Sequence, residues 1–389
     1  MQKIMSKLEE LIQRYCPDGV EYKQLKNILK IRNGKDYKHL DNGTIPVYGS
    51  GGVMTYVDTS IYDKPSVLIP RKGSIDKLYY VDVPFWNVDT VFYTEINKSL
   101  VIEKYVFYAL QKEHLEKLNT AGGVPSLTQA VLNDVEIPVP PLPVQEEIVR
   151  ILDIFTELQA ELQAELQKRK SQYSYYLDNL LSFNKWGGYQ TEIRRMKLKD
   201  VCMKTNNIKW KSATGQYRYI DLSSVDIQTH SIISAIEIDK MSAPSRAQQI
   251  VQGNDVIFAT TRPTQMRACI IPTEYNGDIC STGYCVLRVD KKILLPRFLF
   301  FSLTVSNFKT YLSNNLTLGN YPSISNSALL EYEVPVPSLA DQQKIVSILD
   351  RFDRLANDLS SGLPAEMKKR RQQYEYYRDK LLSFKRKGA

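Results

Sequence analysis

The chain of 389 residues carries a formal net charge of +8, with 43% apolar and 24% charged residues. Its length is typical of two or three domains, and its basic excess is compatible with a polyanion partner without demonstrating one. Five cysteines without a CxxC pair argue against a disulfide framework and a zinc site, and no apolar run reaches the ~18 residues that a membrane span requires. Together with an N-terminus that lacks a signal-peptide core, these features favour a reducing cytoplasm.

In chain order, the pattern predicts a short helix, a globular part, a long helix, a second globular part and a second long helix. Their expected limits are 1–16, 17–143, 144–186, 187–340 and 341–389. Each globular part contains short β-type runs between turn residues, followed by a helical stretch. The β-type runs lie at 44–48, 66–69, 88–93, 217–220, 255–258 and 284–287, and the helical stretches lie at 102–118 and 296–312. We therefore predict an α+β fold with mixed strands and short helices in both globular parts.

An internal repeat supports this division. Glu-Ile-Pro-Val-Pro at 136–140 matches Glu-Val-Pro-Val-Pro at 333–337, and Ile-Leu-Asp at 151–153 recurs at 348–350, so the offset is constant (333 − 136 = 197; 350 − 153 = 197). Leu-Leu-Ser-Phe at 180–183 recurs at 381–384 with an offset of 201 (381 − 180 = 201). The second copy therefore has four additional residues, about one helical turn.

Each copy ends in a predicted long helix. Apolar residues step by three and four along both helices, which is the seam of a coiled coil. They occupy 148, 151, 155, 158 and 162 in the first helix and 345, 348, 352, 355 and 359 in the second. The first helix is expected to run unbroken over 145–183, whereas Gly362 and Pro364 should interrupt the second at 360–364. Periodicity alone leaves open a generic coiled coil that serves only as an assembly scaffold.

Several segments resemble conserved parts of the specificity subunits of type I restriction–modification systems. They are the stretch from Glu136 to Asp153, its copy from Glu333 to Asp350, the helix ending from Arg371 to Leu382, and the opening from Lys7 to Val20. The likeness covers nearly the whole chain. Each motif is moderately specific, and their twofold occurrence in the same order is highly specific.

The resemblance implies an arrangement and a set of partners. In that family, each globular part is a target recognition domain that reads one half of a split double-stranded DNA site. The two long helices pack antiparallel, set the distance between the halves and dock two adenine methyltransferase subunits, after which motor–nuclease subunits join. A subunit of this kind has no catalytic site of its own.

The sequence lacks recognisable catalytic motifs. No Asn-Pro-Pro-Tyr-like run of an amino-methyltransferase is present, and the Gly-rich run 49–52 lacks the Gly-Lys-Ser/Thr of a phosphate-binding loop, so we interpret it as a tight turn. His39, His114 and His230 are far apart in the sequence and do not suggest a metal centre. We therefore expect a non-catalytic protein with neither a metal nor another cofactor.

Two polar loops are the candidate DNA contacts, because base and phosphate recognition needs basic, amide or hydroxyl side chains. Both loops directly follow an apolar strand. The first contains Arg71, Lys72, Ser74 and Lys77, and the second contains Thr261, Arg262, Thr264, Gln265 and Arg267. Ordinary solvated loops are the alternative for both.

The two globular parts are expected to differ in their early portions. Taking Arg71 and Arg262 as counterparts gives an offset of 191, against 173 for Leu25 and Leu198, so the second part has about 18 additional residues (191 − 173 = 18). The loops 120–126 and 317–323 are phosphate-binding candidates if helices start at Leu127 and Ile324, with packing turns as the alternative. We expect Tyr48, Tyr56 and Trp86 to be core residues rather than base contacts.

Overall fold

A computed structural model describes residues 2–119, 122–183, 193–317, 319, 321–357 and 362–388. The chain divides into two compact units: the first comprises Met1–Glu161 with Lys368–Ala389, and the second comprises Leu162–Met367. Within the described residues the helices are α1 (Gln2–Tyr15), α2 (Glu103–Lys112), α3 (Gln129–Asn133), α4 (Leu142–Ser182), α5 (Leu198–Val201), α6 (Pro296–Ser302), α7 (Ser306–Asn314), α8 (Asn326–Leu330), α9 (Leu339–Asn357) and α10 (Leu363–Leu381). No helix in these ranges is both long and apolar enough to cross a membrane.

The first unit contains three small sheets. Its strands are β1 (Tyr22–Gln24), β2 (Leu29–Asn33), β3 (Asn42–Gly49), β4 (Gly52–Val57), β5 (Ser66–Pro70), β6 (Tyr79–Val81), β7 (Trp86–Asn87), β8 (Val91–Ile96) and β9 (Glu136–Pro138). An antiparallel sheet has the order β2-β8-β5-β6, a second has the order β4-β3-β7 with β3 parallel to β7, and β1 pairs with β9.

The second unit repeats this topology with one additional strand, Ala247–Ile250, at the end of the sheet that corresponds to β4-β3-β7. Its strands are β10 (Arg194–Lys197), β11 (Cys202–Met203), β12 (Tyr217–Ile220), β13 (Ile236–Ile238), β14 (Ala247–Ile250), β15 (Val256–Ala259), β16 (Ala268–Ile270), β17 (Ile279–Ser281), β18 (Tyr284–Val289) and β19 (Glu333–Val336). The sheet orders are β11-β18-β15-β16 and β13-β12-β17-β14, and β10 pairs with β19. The parallel pair of β12 with β17 corresponds to that of β3 with β7. The predicted α+β class and its internal repeat are confirmed.

Strands β5 and β15 are buried along their whole length because both of their faces are covered. In β5, Val67 and Ile69 belong to the core beneath the helices, whereas Leu68 between them belongs to a smaller core with Phe85. In β15, Val256 and Phe258 face the helical core and Ile257 faces the smaller one. Successive side chains of a strand point to opposite faces, so a strand between two layers is mostly apolar, and the hydroxyl of the buried Ser66 donates to Thr94 O (2.8 Å).

The predicted unbroken first helix is confirmed by α4, which begins three residues earlier than expected. The predicted interruption of the second helix at 360–364 falls partly on residues 360 and 361, which lie outside the described ranges. The structure describes α9 as far as Asn357, a bend at Gly362 and α10 from Leu363. The coiled-coil seam is covered only in part. Ile148, Ile151 and Phe155 are buried, but Leu158, Ile348 and Leu355 are between 39% and 40% exposed. Leu359 is not among the described residues.

Each unit combines the beginning of one long helix with the end of the other. In the first unit Phe155 of α4 stacks on Tyr377 of α10, with ring centroids 5.4 Å apart. In the second unit Tyr176 of α4 stacks on Phe352 of α9, with centroids 5.0 Å apart. Phe155 and Phe352 differ by 197, and Tyr176 and Tyr377 differ by 201, so the two ring pairs follow the sequence repeat.

A buried glutamine near the start of α4 and of α9 holds each long helix against its unit. Gln145 accepts a hydrogen bond from Ile102 N (2.9 Å) and donates to Leu100 O (2.9 Å) and Pro140 O (2.7 Å). Gln342 makes the same three bonds, accepting from Leu295 N (2.8 Å) and donating to two carbonyl oxygens, those of Ile293 (2.9 Å) and Pro337 (3.0 Å). Both side chains are fully buried, so these bonds replace water at backbone groups.

About two turns further along each long helix, an aspartate forms an ion pair with the helix that precedes it in the chain. Asp153 accepts from Lys104 Nζ of α2 (2.8 Å) and from the Tyr108 hydroxyl (2.6 Å). Its repeat counterpart Asp350 accepts from Arg297 Nε of α6 (2.7 Å). The same position therefore orients each globular part on its long helix.

Candidate nucleic-acid interface

The loop that follows β5 presents two basic side chains and holds a third against the sheet. Lys72 and Lys77 are exposed and form no ion pair with a residue that the structure describes. Arg71 is half-buried, with its guanidinium 4.9 Å from the Phe92 ring centroid and its Nη1 3.5 Å from Asn33 Oδ1. Its Nε is buried without a partner among the described residues, so Arg71 keeps unused hydrogen-bonding capacity. Ser74 is half-buried.

This loop is paired with the Gly-to-Pro-Ser loop that precedes α3. Lys72 and Ser126 form an antiparallel bridge, Gly73 N donates to Pro125 O (3.2 Å), and Leu127 N donates to Arg71 O (2.8 Å). Residues 120 and 121, the first two of the predicted loop 120–126, are not among the described residues. Two segments separated by about 50 residues thus form one polar ridge.

The second unit builds the same pair of loops. Thr261 and Ser323 form an antiparallel bridge, Arg262 N donates to Pro322 O (2.7 Å), and Ile324 N donates to Thr260 O (2.9 Å). Residues 318 and 320 of this loop lie outside the described ranges. Both predicted clusters therefore lie on the same structural element of their respective units.

The two bridges align the first loop with the second at an offset two residues smaller than the offset predicted from the sequence. Because Ser126 matches Ser323, Lys72 matches Thr261 and Gly73 matches Arg262, at an offset of 189 rather than 191. Both Gly73 (φ 80°) and Arg262 (φ 52°) have left-handed backbone, which supports this match. Arg71 corresponds to Thr260, and the second globular part has 16 rather than 18 additional residues (189 − 173 = 16).

The predicted residues of the second loop are not equally accessible. Arg262, Thr264 and Gln265 are exposed, and the Arg262 guanidinium lies 4.9 Å from the ring centroid of Tyr321, which is itself 64% exposed. Thr261 is half-buried. Arg267 donates to Val225 O and is half-buried, so its guanidinium already has a protein acceptor.

The helices after the two loops do not start at Leu127 and Ile324, so the condition set for phosphate binding is not met. Leu127 and Ile324 are buried anchors, and α3 and α8 start two residues further on, at Gln129 and Asn326. The hydroxyls of Thr128 and Ser325 cap them by accepting from Val131 N (3.3 Å) and Ala328 N (3.1 Å). Side chains thus already occupy these helix starts, which disfavours phosphate binding there.

The tight turn predicted at 49–52 is the hairpin tip between β3 and β4, and it lies beside the first loop. The Tyr79 hydroxyl donates to Ser50 O (3.0 Å), and a Cβ atom on Gly73 would lie 3.3 Å from Ser50 Oγ. Beyond the tip, Met54 and Tyr56 are 58% and 54% exposed. Trp86 is buried and Tyr48 half-buried, as expected for core residues, whereas the expectation of a core position for Tyr56 is wrong.

Within the described ranges no group of three or more His, Cys, Asp and Glu side chains could hold a metal ion. All five cysteines are free thiols. Burial raises the pKa of Cys202, Cys269 and Cys285 to about 12, so these thiols stay protonated and unreactive near neutral pH.

Comparisons with known proteins agree with this geometry. The family model of the type I restriction modification DNA specificity domain matches residues 17–169 and again 191–369. The chain is 29% identical to the type I restriction enzyme EcoR124I/EcoR124II specificity subunit of Escherichia coli, covering 98% of this chain and 97% of that protein.

Two solved structures share the fold. The type I restriction–modification S subunit from M. genitalium has a TM-score of 0.58 at 15% identity, covering 94% of this chain and 96% of that one. A chain from a structure of type I restriction–modification complex assembly has a TM-score of 0.60 at 13% identity, covering 94% of this chain and 98% of that one.

Proposed function

Because the chain belongs to the type I restriction modification DNA specificity family, we propose that each of its two globular parts reads one half of a bipartite DNA site. We assign the recognition domains to 17–143 and 187–340, the N-terminal helix to 1–16 and the spacer helices to 144–186 and 341–389. The single observation that carries this assignment is the twofold occurrence of one loop pair, Lys72 with Ser126 and Thr261 with Ser323.

As a specificity subunit, the chain recognises DNA and leaves the catalytic steps to other subunits of the complex. The alternative of a scaffold without a DNA role has no support among the relatives. We propose that the protein acts in the cytoplasm, where DNA and its partner subunits are available.

The proposed DNA-contacting residues differ in their solvent exposure, and we assign their roles accordingly. Lys72 and Lys77 are exposed and suit phosphates, since a lysine acts as a point charge. Arg262 suits a base edge, because the neighbouring Tyr321 ring restricts its guanidinium and arginine pairs well with guanine. Arg71, Ser74, Thr261, Thr264 and Gln265 complete the proposed contacts, and Arg267 acts by supporting the loop.

The partner subunits are two methyltransferases and the motor–nuclease subunits, and we propose that the spacer helices dock the methyltransferases. Leu158 of α4 and Leu355 of α9 occupy the same repeat position (355 − 158 = 197) and are 40% and 39% exposed. Large apolar side chains repeated on two helix surfaces are suited to binding two copies of one partner.

We expect Arg262→Gly to weaken DNA binding by about 1–3 kcal/mol and to relax specificity in one half-site only. Glycine suits this test because Arg262 has left-handed backbone and its counterpart is Gly73, so the substitution removes the side chain without adding strain. Binding of the assembled complex to DNA libraries with either half-site randomised measures both effects.

Lys72→Ala is the contrasting variant for the first loop. A phosphate contact should weaken binding to all sequences alike and lower the salt dependence by about one unit of slope. Wild-type DNA affinity in both variants would remove the two loops from the proposed interface. DNA recognition by the chain is measured independently, by the methylated motif in the genome of the host.

A further inference from the structure

The first unit contains an aromatic cleft of about 390 Å³ between the globular part and α4. Tyr48, Tyr79, Tyr80, Phe107 and Tyr108 line it, together with Asp153 and Glu157 of α4 and Lys104 of α2. We call it the Phe107 cleft. Neither Lys72 nor Ser126 of the polar ridge lines it.

In the second unit, a side chain of the same chain fills the corresponding place. Phe107 corresponds to Phe300 by the offset that relates Leu100 to Ile293 (293 − 100 = 193). His230 packs edge-on against Phe300, with centroids 5.3 Å apart, and its Nδ1 lies 3.2 Å from Ala268 O. By strand register Ala268 corresponds to Leu78, which lines the Phe107 cleft.

His230 reaches this position because the second unit has a longer connection. Residues 221–235 join β12 to β13, whereas only Ser50 and Gly51 join the corresponding strands β3 and β4. The longer connection folds back on β16: Val225 pairs with Ile232, and Arg267 donates to Val225 O. The first unit has no segment to serve this purpose among its described residues, so its cleft is open to an external side chain.

The charges of the cleft indicate which side chain fits. Lys104 is paired with Asp153 (2.8 Å), but Glu157 is exposed and forms no ion pair with any described residue. An unpaired carboxylate disfavours a phosphate-bearing ligand. A guanidinium group fits both the aromatic lining and the Glu157 carboxylate, because it stacks on aromatic rings and pairs with carboxylates.

We propose that the Phe107 cleft is a docking site for an arginine side chain of a partner subunit, filled in trans where the second unit uses its own His230. The inference rests on the proposed assembly with partner subunits and not on the proposed DNA contacts. The two units then bind partner subunits differently, although their long helices share one sequence repeat.

Thr156→Cys places a thiol at the rim of the cleft, and the raised pKa values of the five native thiols keep them from competing. On the free chain, a methanethiosulfonate reagent with an ammonium group should react about fivefold faster than one with a sulfonate, owing to Glu157. Glu157→Gln in the same background should abolish this preference. Methylguanidinium chloride should slow labelling by a neutral reagent more than sodium chloride does at equal ionic strength.

Assembly with the partner subunits, without DNA, should then slow labelling at position 156 by about tenfold or more, since a docked side chain excludes the reagent. Protection by DNA alone would overturn the proposal in favour of a nucleic-acid ligand. Undiminished labelling in a complex that assembles and methylates DNA would also overturn it, while leaving the proposed function standing.

A second variant does not depend on thiol chemistry. Glu157→Lys should weaken binding of the partner subunits about tenfold, because it repels a guanidinium. The matched control is Glu161→Lys, an exposed carboxylate one turn along α4 outside the cleft, which should have little effect. Equal partner affinities for both variants and the wild type would contradict the proposal.

Discussion

Gln145→Leu should lower the free energy of unfolding of the first unit by roughly 3 kcal/mol or more, because it leaves three backbone groups around a fully buried side chain without partners, at about 1–3 kcal/mol each. The groups are Ile102 N, Leu100 O and Pro140 O, all bonded to a side chain that is fully buried. Hydrogen exchange followed by mass spectrometry measures this, since peptides report each unit separately. Protection should fall in the first unit and persist in the second.

The internal repeat supplies the matched experiment. Gln342→Leu should destabilise the second unit by a similar amount, because Gln342 makes the same three bonds. Gln163→Leu, at an exposed position of α4, should have little effect. Native protection of the first unit in Gln145→Leu would show that water or a shifted backbone replaces these hydrogen bonds.

The features that the sequence predicted correctly depend on periodicity or on repetition. The spacing of apolar residues by three and four over 148–158 predicts the position of α4. The recurrence of Glu-Ile-Pro-Val-Pro as Glu-Val-Pro-Val-Pro predicts that the globular parts share a fold. Both are properties of local sequence that survive packing. The role of Gln145 was not predicted, because one buried glutamine leaves no periodic pattern.

The details of the loops depend on backbone conformation and tertiary contact. Arg71 and Arg262 look alike in sequence, but the left-handed backbone at position 262 aligns it with Gly73. A residue type does not reveal its φ angle, and left-handed arginine is uncommon, so the two-residue shift could not be read from composition. Similarly, nothing in the sequence of 221–235 shows that it folds back to place His230 against Phe300.

Some apolar positions of the coiled-coil seam are not covered within this chain. A coiled-coil pattern predicts that apolar residues are covered but does not say by what. Leu158 and Leu355 satisfy the pattern and remain exposed in this chain. In a subunit of a larger complex, part of an apolar seam is available for contact with other subunits. The apolar pattern therefore reflects contacts between subunits as well as contacts within the chain.

Deleting Glu161 to Ala164 should keep both half-site sequences and change the gap between them by one or two base pairs. These residues are the middle unit of a tandem Glu-Leu-Gln-Ala repeat within α4. Four residues contribute about 6 Å of helix and just over one turn, whereas DNA rises about 3.4 Å per base pair. Methylome sequencing of a strain carrying the deletion reads the new motif directly.

The deletion should leave the helix and both recognition loops intact. Glu165 and Leu166 move into the places of Glu161 and Leu162, so the local sequence is preserved, and neither Lys72 nor Arg262 is near the change in sequence. Replacing the same four residues with alanines keeps the length and the helix propensity, and should therefore leave the gap unchanged. An active deletion variant with the original gap would show that α4 does not set the spacing, and the distance between half-sites would then have to be set by the partner subunits.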